Sequence, residues 1–146
     1  KLRYKFLLDS EIPKLLVGDL NKLKQVLYNI IGNAIKYTDE GFVEICFMCK
    51  GKSDKTLNLV LEVKDSGRGI AKGDLGKIFS KFTQLESSTK RTKSGVGLGL
   101  AICKEILELM EGTIEVDSVL GQGTAFKVEI PLEYKSNKPL ANNSVR

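Results

Sequence analysis

Gln25-Val26-Leu27-Tyr28-Asn29-Ile30-Ile31-Gly32-Asn33-Ala34-Ile35-Lys36-Tyr37-Thr38 carries two helical patterns at once. Its apolar residues, with Leu20 and Leu23 ahead of them, recur at helical spacing, and Asp19 stands where a helix wants its N-cap. Gly41 offers a stop. At about 100° per residue, Lys22, Gln25, Asn29, Asn33 and Lys36 fall on one narrow stripe opposite the apolar face. A solvated face explains most such stripes. Asparagine is a poor mid-helix residue, however, and two of them on one line beside a lysine suit Mg²⁺ next to phosphate better than bulk water.

Outward from this helix, two strand-like runs follow, Phe42–Lys50 and Leu57–Lys64, joined by the polar turn Gly51–Lys55. A glycine-punctuated stretch from Asp65 to Gly76 leads to a short apolar element around Ile78–Leu85, then to the polar, basic segment Glu86–Ser94. A second long helix is expected over Gly97–Glu111, stopping at Gly112. Strands Thr113–Ser118 and Thr124–Pro131 flank the Gly121/Gly123 turn, and an opening strand lies near Lys5–Leu8. Helices alternate with strands, yet strand pairs also meet through short turns. The fold class that satisfies both is a two-layer α/β sandwich, a mixed sheet with helices on one face. A chain of 146 residues supports one such domain, expected over residues 1–134. Residues 135–146, rich in Asn, Ser and Lys, are expected to be a disordered polar tail or linker.

Composition narrows the function classes. The net charge of +5 suits an anionic ligand, but the basic residues are interspersed with acids, so no stripe for nucleic acid exists. Three cysteines imply no disulfide framework, and Cys46 and Cys49, three apart on a strand, point to opposite faces and are expected to be reduced packing residues. No apolar stretch reaches the ~20 residues of a membrane span. The chain opens on Lys1 without Met, the expectation being an excised cytoplasmic domain, itself free of membrane contact, whose parent can carry an anchor.

Two glycine-rich loops carry chemistry. Asp65-Ser66-Gly67-Arg68-Gly69 follows a strand directly. An aspartate buried there can accept from an amino group such as adenine N6, and the glycines let the backbone approach a flat ring; a bare turn with an Asx cap has the same composition. Gly95-Val96-Gly97-Leu98-Gly99-Leu100 leads into the second helix, where free N–H groups and the helix dipole favour phosphate. It is neither a Rossmann fingerprint, since a polar loop feeds it, nor a P-loop.

In this order, with Ile78-Phe79-Ser80-Lys81-Phe82 between them, the elements resemble the N, G1, F and G2 boxes of the histidine-kinase branch of the GHKL ATPases. Gly121-Gln122-Gly123-Thr124 is similar to that family's final glycine turn, and the resemblance covers residues 3–132. It implies the Bergerat fold, with ATP between the two long helices under a lid. It further implies that Asn33 ligates Mg²⁺ with Asn29 as its helper, that Lys36 approaches the phosphates, and that Tyr37 packs on adenine. Asp65 would bind adenine N6, with Gly67 and Gly69 shaping that wall. Gly95, Gly97 and Gly99 would close the lid around the phosphates. Ile70, Phe82, Val96, Leu98, Leu100 and Thr124 complete the implied nucleotide pocket, whereas Phe79 reads as core. The implied partners are a dimerisation and histidine phospho-acceptor domain of the same kinase and a receiver domain of a response regulator; the isolated domain is expected to be a monomer.

Two departures from the family pattern matter. Gln84 stands where such kinases often carry Arg, leaving Lys90, Arg91 or Lys93 as substitutes or as a solvated basic loop. The chain also contains no histidine, so the acceptor must come from elsewhere. Hydrolysing relatives such as the gyrase-like enzymes place a glutamate base where this chain has Asn29, and a neutral amide takes no proton from water. That favours transfer over hydrolysis. A GHKL-type protein serine kinase and a nucleotide-binding signalling module without transfer remain the alternatives.

Overall fold

The computed structural model describes residues 1–80 and 99–135. Strand β1 (Leu2–Leu8) is followed by the two-residue strand β2 (Leu16–Val17), helix α1 (Leu20–Lys36), and the hairpin β3 (Gly41–Lys50) and β4 (Thr56–Asp65). A 3-10 turn over Lys72–Lys77 comes next, then helix α2 (Gly99–Leu109), β5 (Thr113–Val119) and β6 (Gly123–Tyr134). The sheet runs β1-β3-β4-β6-β2, with β5 also paired to β6. Among the described residues only β1 and β3 run parallel; the other pairings are antiparallel, so the sheet is mixed, with the helices on one face as the sequence leads one to expect.

The core is the product of two periodicities meeting. Leu57, Leu59, Leu61 and Val63 alternate along β4, and Phe126, Val128, Ile130 and Leu132 along β6; all turn to the helix side. Val26, Ile30 and Ala34 from α1, and Cys103, Ile106 and Leu107 from α2, close over them. Asp19 caps α1, its carboxylate accepting from the Lys22 N–H (3.1 Å) and from the Lys22 ammonium (2.9 Å). Lys22 is thereby committed to the cap.

Several boundaries differ from the sequence reading. Helix α1 ends at Lys36 with Tyr37 as its cap, and Gly41 opens β3 at φ 118° rather than stopping the helix. Of the stripe, Lys22, Asn29, Asn33 and Lys36 are half-buried along the flank of α1, not opposite the core, and Gln25 is exposed; the far side belongs to Tyr28 (72% exposed) and Ile35 (42%). At the end of α2, Glu111 takes the left-handed position (φ 61°), and the Gly112 N–H bonds the Leu107 carbonyl at 2.7 Å. Cys46 and Cys49 are free thiols on β3, and burial pushes both pKa values up. The expected apolar element around Ile78–Leu85 is described only as far as Ser80, where Ile78 is buried and Phe79 packs partly buried against the core. The polar tail, beyond Lys135, lies outside the described residues.

Candidate nucleotide site

Strand β4 ends on Asp65, and β6 brings Thr124 alongside it. One carboxylate oxygen, Oδ1, accepts from the Gly67 N–H at 2.8 Å and from the Thr124 N–H at 3.3 Å. The other, Oδ2, accepts no hydrogen bond among the described residues. Burial pushes the carboxyl pKa up from its ordinary value, against the two main-chain donors, which favour the charge. A half-buried carboxylate with one oxygen pinned and the other open is poised to accept from a ligand donor.

The loop after Asp65 is clasped by the β5–β6 turn. Gly121 donates to the Arg68 carbonyl at 2.6 Å, and Ile70 donates to Ser118 Oγ at 2.8 Å. The glycines serve this clasp. A side chain at Gly69 (φ 73°) would collide with the Val119 carbonyl, and one at Gly123 (φ 129°) with the carbonyl of Asp65. A Cβ at Gly67 would meet the Tyr37 carbonyl and stand 2.7 Å from Thr38 Oγ1. The sequence reading assigned Gly67 and Gly69 to close approach by a flat ring; in the structure their open sides face protein backbone and the Thr38 hydroxyl.

Helix α1 meets the N-terminus of α2 at Asn29. A Cβ on Gly99 would lie 3.2 Å from Asn29 Oδ1, so this side chain sits directly against the first turn of α2. Burial raises the neighbouring Cys103 thiol to about 11, which makes it a neutral packing residue. Asn33 is half-buried one turn further on, and Lys36 ends the helix. The Lys36 ammonium stands 5.3 Å from the Tyr37 ring centroid, and the Arg68 guanidinium 4.5 Å from it. The ring that the sequence reading gave to adenine thus carries two cations here, held by its quadrupole. Ile70 and Leu100 pack partly buried against the core. Phe82, Gln84, Lys90, Arg91, Lys93, Gly95, Val96, Gly97 and Leu98 lie outside the described residues.

Two hydroxyls escaped the sequence reading. Ser118, on β5, links the Asp65 loop to the final glycine turn. Thr38 is 3% exposed, and its Oγ1 has no hydrogen-bond partner among the described residues. Only its place directly after the asparagine stripe pointed to it. Leaving a buried hydroxyl unpaired costs ~1–3 kcal/mol. Thr38→Val keeps the branched shape, so it is expected to raise the stability of the ligand-free domain by about 1 kcal/mol, a few degrees in Tm. A lower Tm for the variant would show that the hydroxyl is satisfied in solution.

Among the described residues no group of three or more His, Cys, Asp or Glu is placed to hold a metal ion. The donors near Asn29 and Asn33 are neutral oxygens, which fits an Mg²⁺ that brings phosphate oxygens and water as its remaining ligands.

Comparison with known proteins gives the family. The sequence profile of the family described as "Histidine kinase-, DNA gyrase B-, and HSP90-like ATPase" matches residues 18–134. The chain is 41% identical over 119 residues to "Hybrid signal transduction histidine kinase L" of Dictyostelium discoideum, covering 81% of this chain and 7% of that protein. It is 38% identical over 133 residues to "Sensor histidine kinase RcsC" of Salmonella typhimurium, covering 91% of this chain and 13% of that protein. The crystal structure of full-length ShkA in complex with AMPPNP superposes with a TM-score of 0.76 at 30% identity, over 92% of this chain and 26% of that one. The chain belongs to the histidine kinase-, DNA gyrase B- and HSP90-like ATPase family. The relatives named are histidine kinases, of which this chain matches the catalytic ATPase domain and only a small share of the length.

Proposed function

We propose that this domain binds MgATP and donates the γ-phosphoryl group to a histidine on a separate dimerisation and phospho-acceptor domain, with a response-regulator receiver domain downstream. The observation that carries the reading is Asp65: half-buried, pinned through Oδ1 and open at Oδ2, it offers an acceptor to the exocyclic amine of adenine. The kinase relatives support the choice of reaction.

Each residue then has a physical task. Asp65 and the clasped loop orient the base. Asn33, with Asn29 a turn earlier, presents neutral oxygen to the Mg²⁺ that accompanies the phosphates, and the bound ion supplies charge neutralisation on the phosphate oxygens. The first turn of α2, beside Asn29, offers the positive end of the helix dipole. Lys36 adds a positive charge at the end of the helix. No carboxylate is placed at Asn29 to deprotonate water, which favours transfer over hydrolysis. No helix among the described residues is long and apolar enough to cross a membrane, and we assign the domain to the cytoplasm, where ATP is supplied.

Radiolabelled ATP distinguishes the reactions. The chain has no histidine, so alone it is expected to stay unlabelled. An acceptor segment from the same kinase, alone, is also expected to stay unlabelled, whereas the mixture gives acid-labile label on the acceptor. Acid-stable label on the isolated chain would indicate a serine or threonine kinase and overturn the reading.

A further inference from the structure

Strand β1 ends the sheet on one side. Among the described residues β3 is the one strand paired with it, and the register from Leu2↔Gly41 to Leu8↔Phe47 runs without a bulge. The two ends of β1 fix where its backbone groups point. The Lys1 carbonyl accepts from the Gly41 N–H at 3.4 Å, and the Asp9 N–H donates to the Phe47 carbonyl at 2.9 Å, so the odd-numbered residues face β3. In a strand the N–H and C=O of one residue point the same way and successive residues alternate. Tyr4, Phe6 and Leu8 therefore aim their N–H and C=O groups out of the sheet, with no strand opposite them among the described residues. The side chains divide by face. Phe6 meets the Phe47 ring at 5.8 Å between centroids on the helix side, where Ile45 and Phe47 pack against the core. Tyr4 and Phe6 are nonetheless 62% exposed and Leu8 41%, left uncovered by the helices. On the other face Arg3 and Lys5 are exposed, Lys5 standing 3.7 Å from Glu44, and β1 itself contains no acid.

An unbulged edge with exposed apolar side chains is what folds ordinarily blunt, often with lysine. Here the blunting is selective. Pairing β1 with β1 of a second copy about a two-fold axis would set Arg3 and Lys5 against their own counterparts, like charge on like. A strand with acids at those positions meets no such penalty. Residues 81–98 and 136–146 hold one acid between them, Glu86, so neither supplies that strand. We infer that β1 is a docking edge for an extended segment of a partner polypeptide in which apolar residues alternate with Asp or Glu. Its backbone pairs with Tyr4, Phe6 and Leu8 as an added strand. Its apolar side chains cover those three residues on the helix side, and its carboxylates lie beside Arg3 and Lys5 on the other. Asp65 is two strands away across the sheet, so the edge is separate from the nucleotide site and the inference does not rest on the function proposed above.

The probe is a capped peptide as long as β1 that alternates valine and glutamate, with an alternating valine–lysine peptide as its control, each titrated into the chain. The valine–glutamate peptide is expected to bind about tenfold tighter, the effect of turning two cross-strand pairs from like to opposite charge. The double variant Arg3→Glu/Lys5→Glu, changed only at exposed side chains, is expected to reverse that order. Hydrogen exchange at the Tyr4 and Phe6 amides, which point out of the sheet, is expected to slow when the valine–glutamate peptide binds. Phe6→Thr keeps a strand-forming residue and removes the ring; it is expected to weaken that peptide severalfold, and it carries the test if the charge variant does not fold. No binding of the valine–glutamate peptide at millimolar concentration, or equal affinity for the two peptides, would overturn the inference. So would binding that leaves the Tyr4 and Phe6 amides exchanging as before, because the occupant would then not be an added strand. Self-association of the chain that protects the same amides would give the edge to a second copy and overturn the choice of partner.

Discussion

Asp65→Asn is expected to lower ATP affinity about a hundredfold, the upper end of what a buried group left unsatisfied costs, while leaving the ligand-free fold intact. A side-chain amide can usually turn to present whichever end suits a ligand. Here it cannot, because Oδ1 is the acceptor for both the Gly67 and the Thr124 N–H groups. Turning the amide would set its NH₂ against two donors. The asparagine oxygen therefore stays at the Oδ1 position and its NH₂ takes the place of Oδ2, facing the amino group of adenine donor to donor. The same substitution should improve the standing of ITP, whose 6-carbonyl accepts. Stability moves the other way. Burial raises the Asp65 pKa, so its protonated form is the one the fold favours. That contribution is fully present below the ordinary carboxylate value and is lost as pH rises through the raised folded value. Asparagine does not titrate. The stability of Asp65→Asn relative to wild type is therefore expected to increase as pH rises through that window, in urea unfolding followed from acid to neutral pH. An ATP affinity within about threefold of wild type (under 1 kcal/mol) would show that Oδ2 does not read the base.

What the sequence made legible, and what it did not, follows from which interactions are local. Period and capping are local, so Asp19 as N-cap, the two helices and the β3–β4 and β5–β6 hairpins can be read from residue spacing alone. The angle of the asparagine stripe to the core was misjudged for a physical reason. Leu27, Ile31 and Ile35 extend the apolar arc of α1 beyond the line that is buried, Val26–Ile30–Ala34, and so pull the apparent centre of the arc away from the true one. Strand β2 is two residues long and has no period to detect; it exists because Glu133 and Tyr134 lie opposite it. Gly69 and Gly123 were legible as required glycines, but their reason was not, since the carbonyls they avoid come from residues far along the chain. Ser118 was invisible as the link between the Asp65 loop and the final glycine turn. A serine at a strand end has many uses, and only the pairing of β5 with β6 shows that its one proton is already spoken for.

Asn33→Ala is expected to abolish detectable phosphoryl transfer to an acceptor supplied in trans, a loss of about a hundredfold or more, the scale seen when one preorganised polar group is removed from a transition-state site. Unfolding does not explain such a loss. Asn33 lies inside α1, where its side chain is only half-buried, and alanine is the better helix former by about half a kcal/mol. The variant should therefore melt at or slightly above the wild-type temperature. The described residues offer no carboxylate cluster that would hold Mg²⁺ in the absence of nucleotide. On the proposed function the ion is shared between phosphate oxygens, water and the neutral oxygens on this flank of α1. Removing one of those oxygens leaves binding of the base through Asp65 untouched but frees the ion and the terminal phosphate from their fixed position. The signature is a split: nucleotide affinity measured in EDTA stays at the wild-type value, while the gain on adding Mg²⁺, present in wild type, is lost in the variant. Transfer at the wild-type rate by Asn33→Ala, or an equal loss of affinity with and without Mg²⁺, would move the metal site away from this helix.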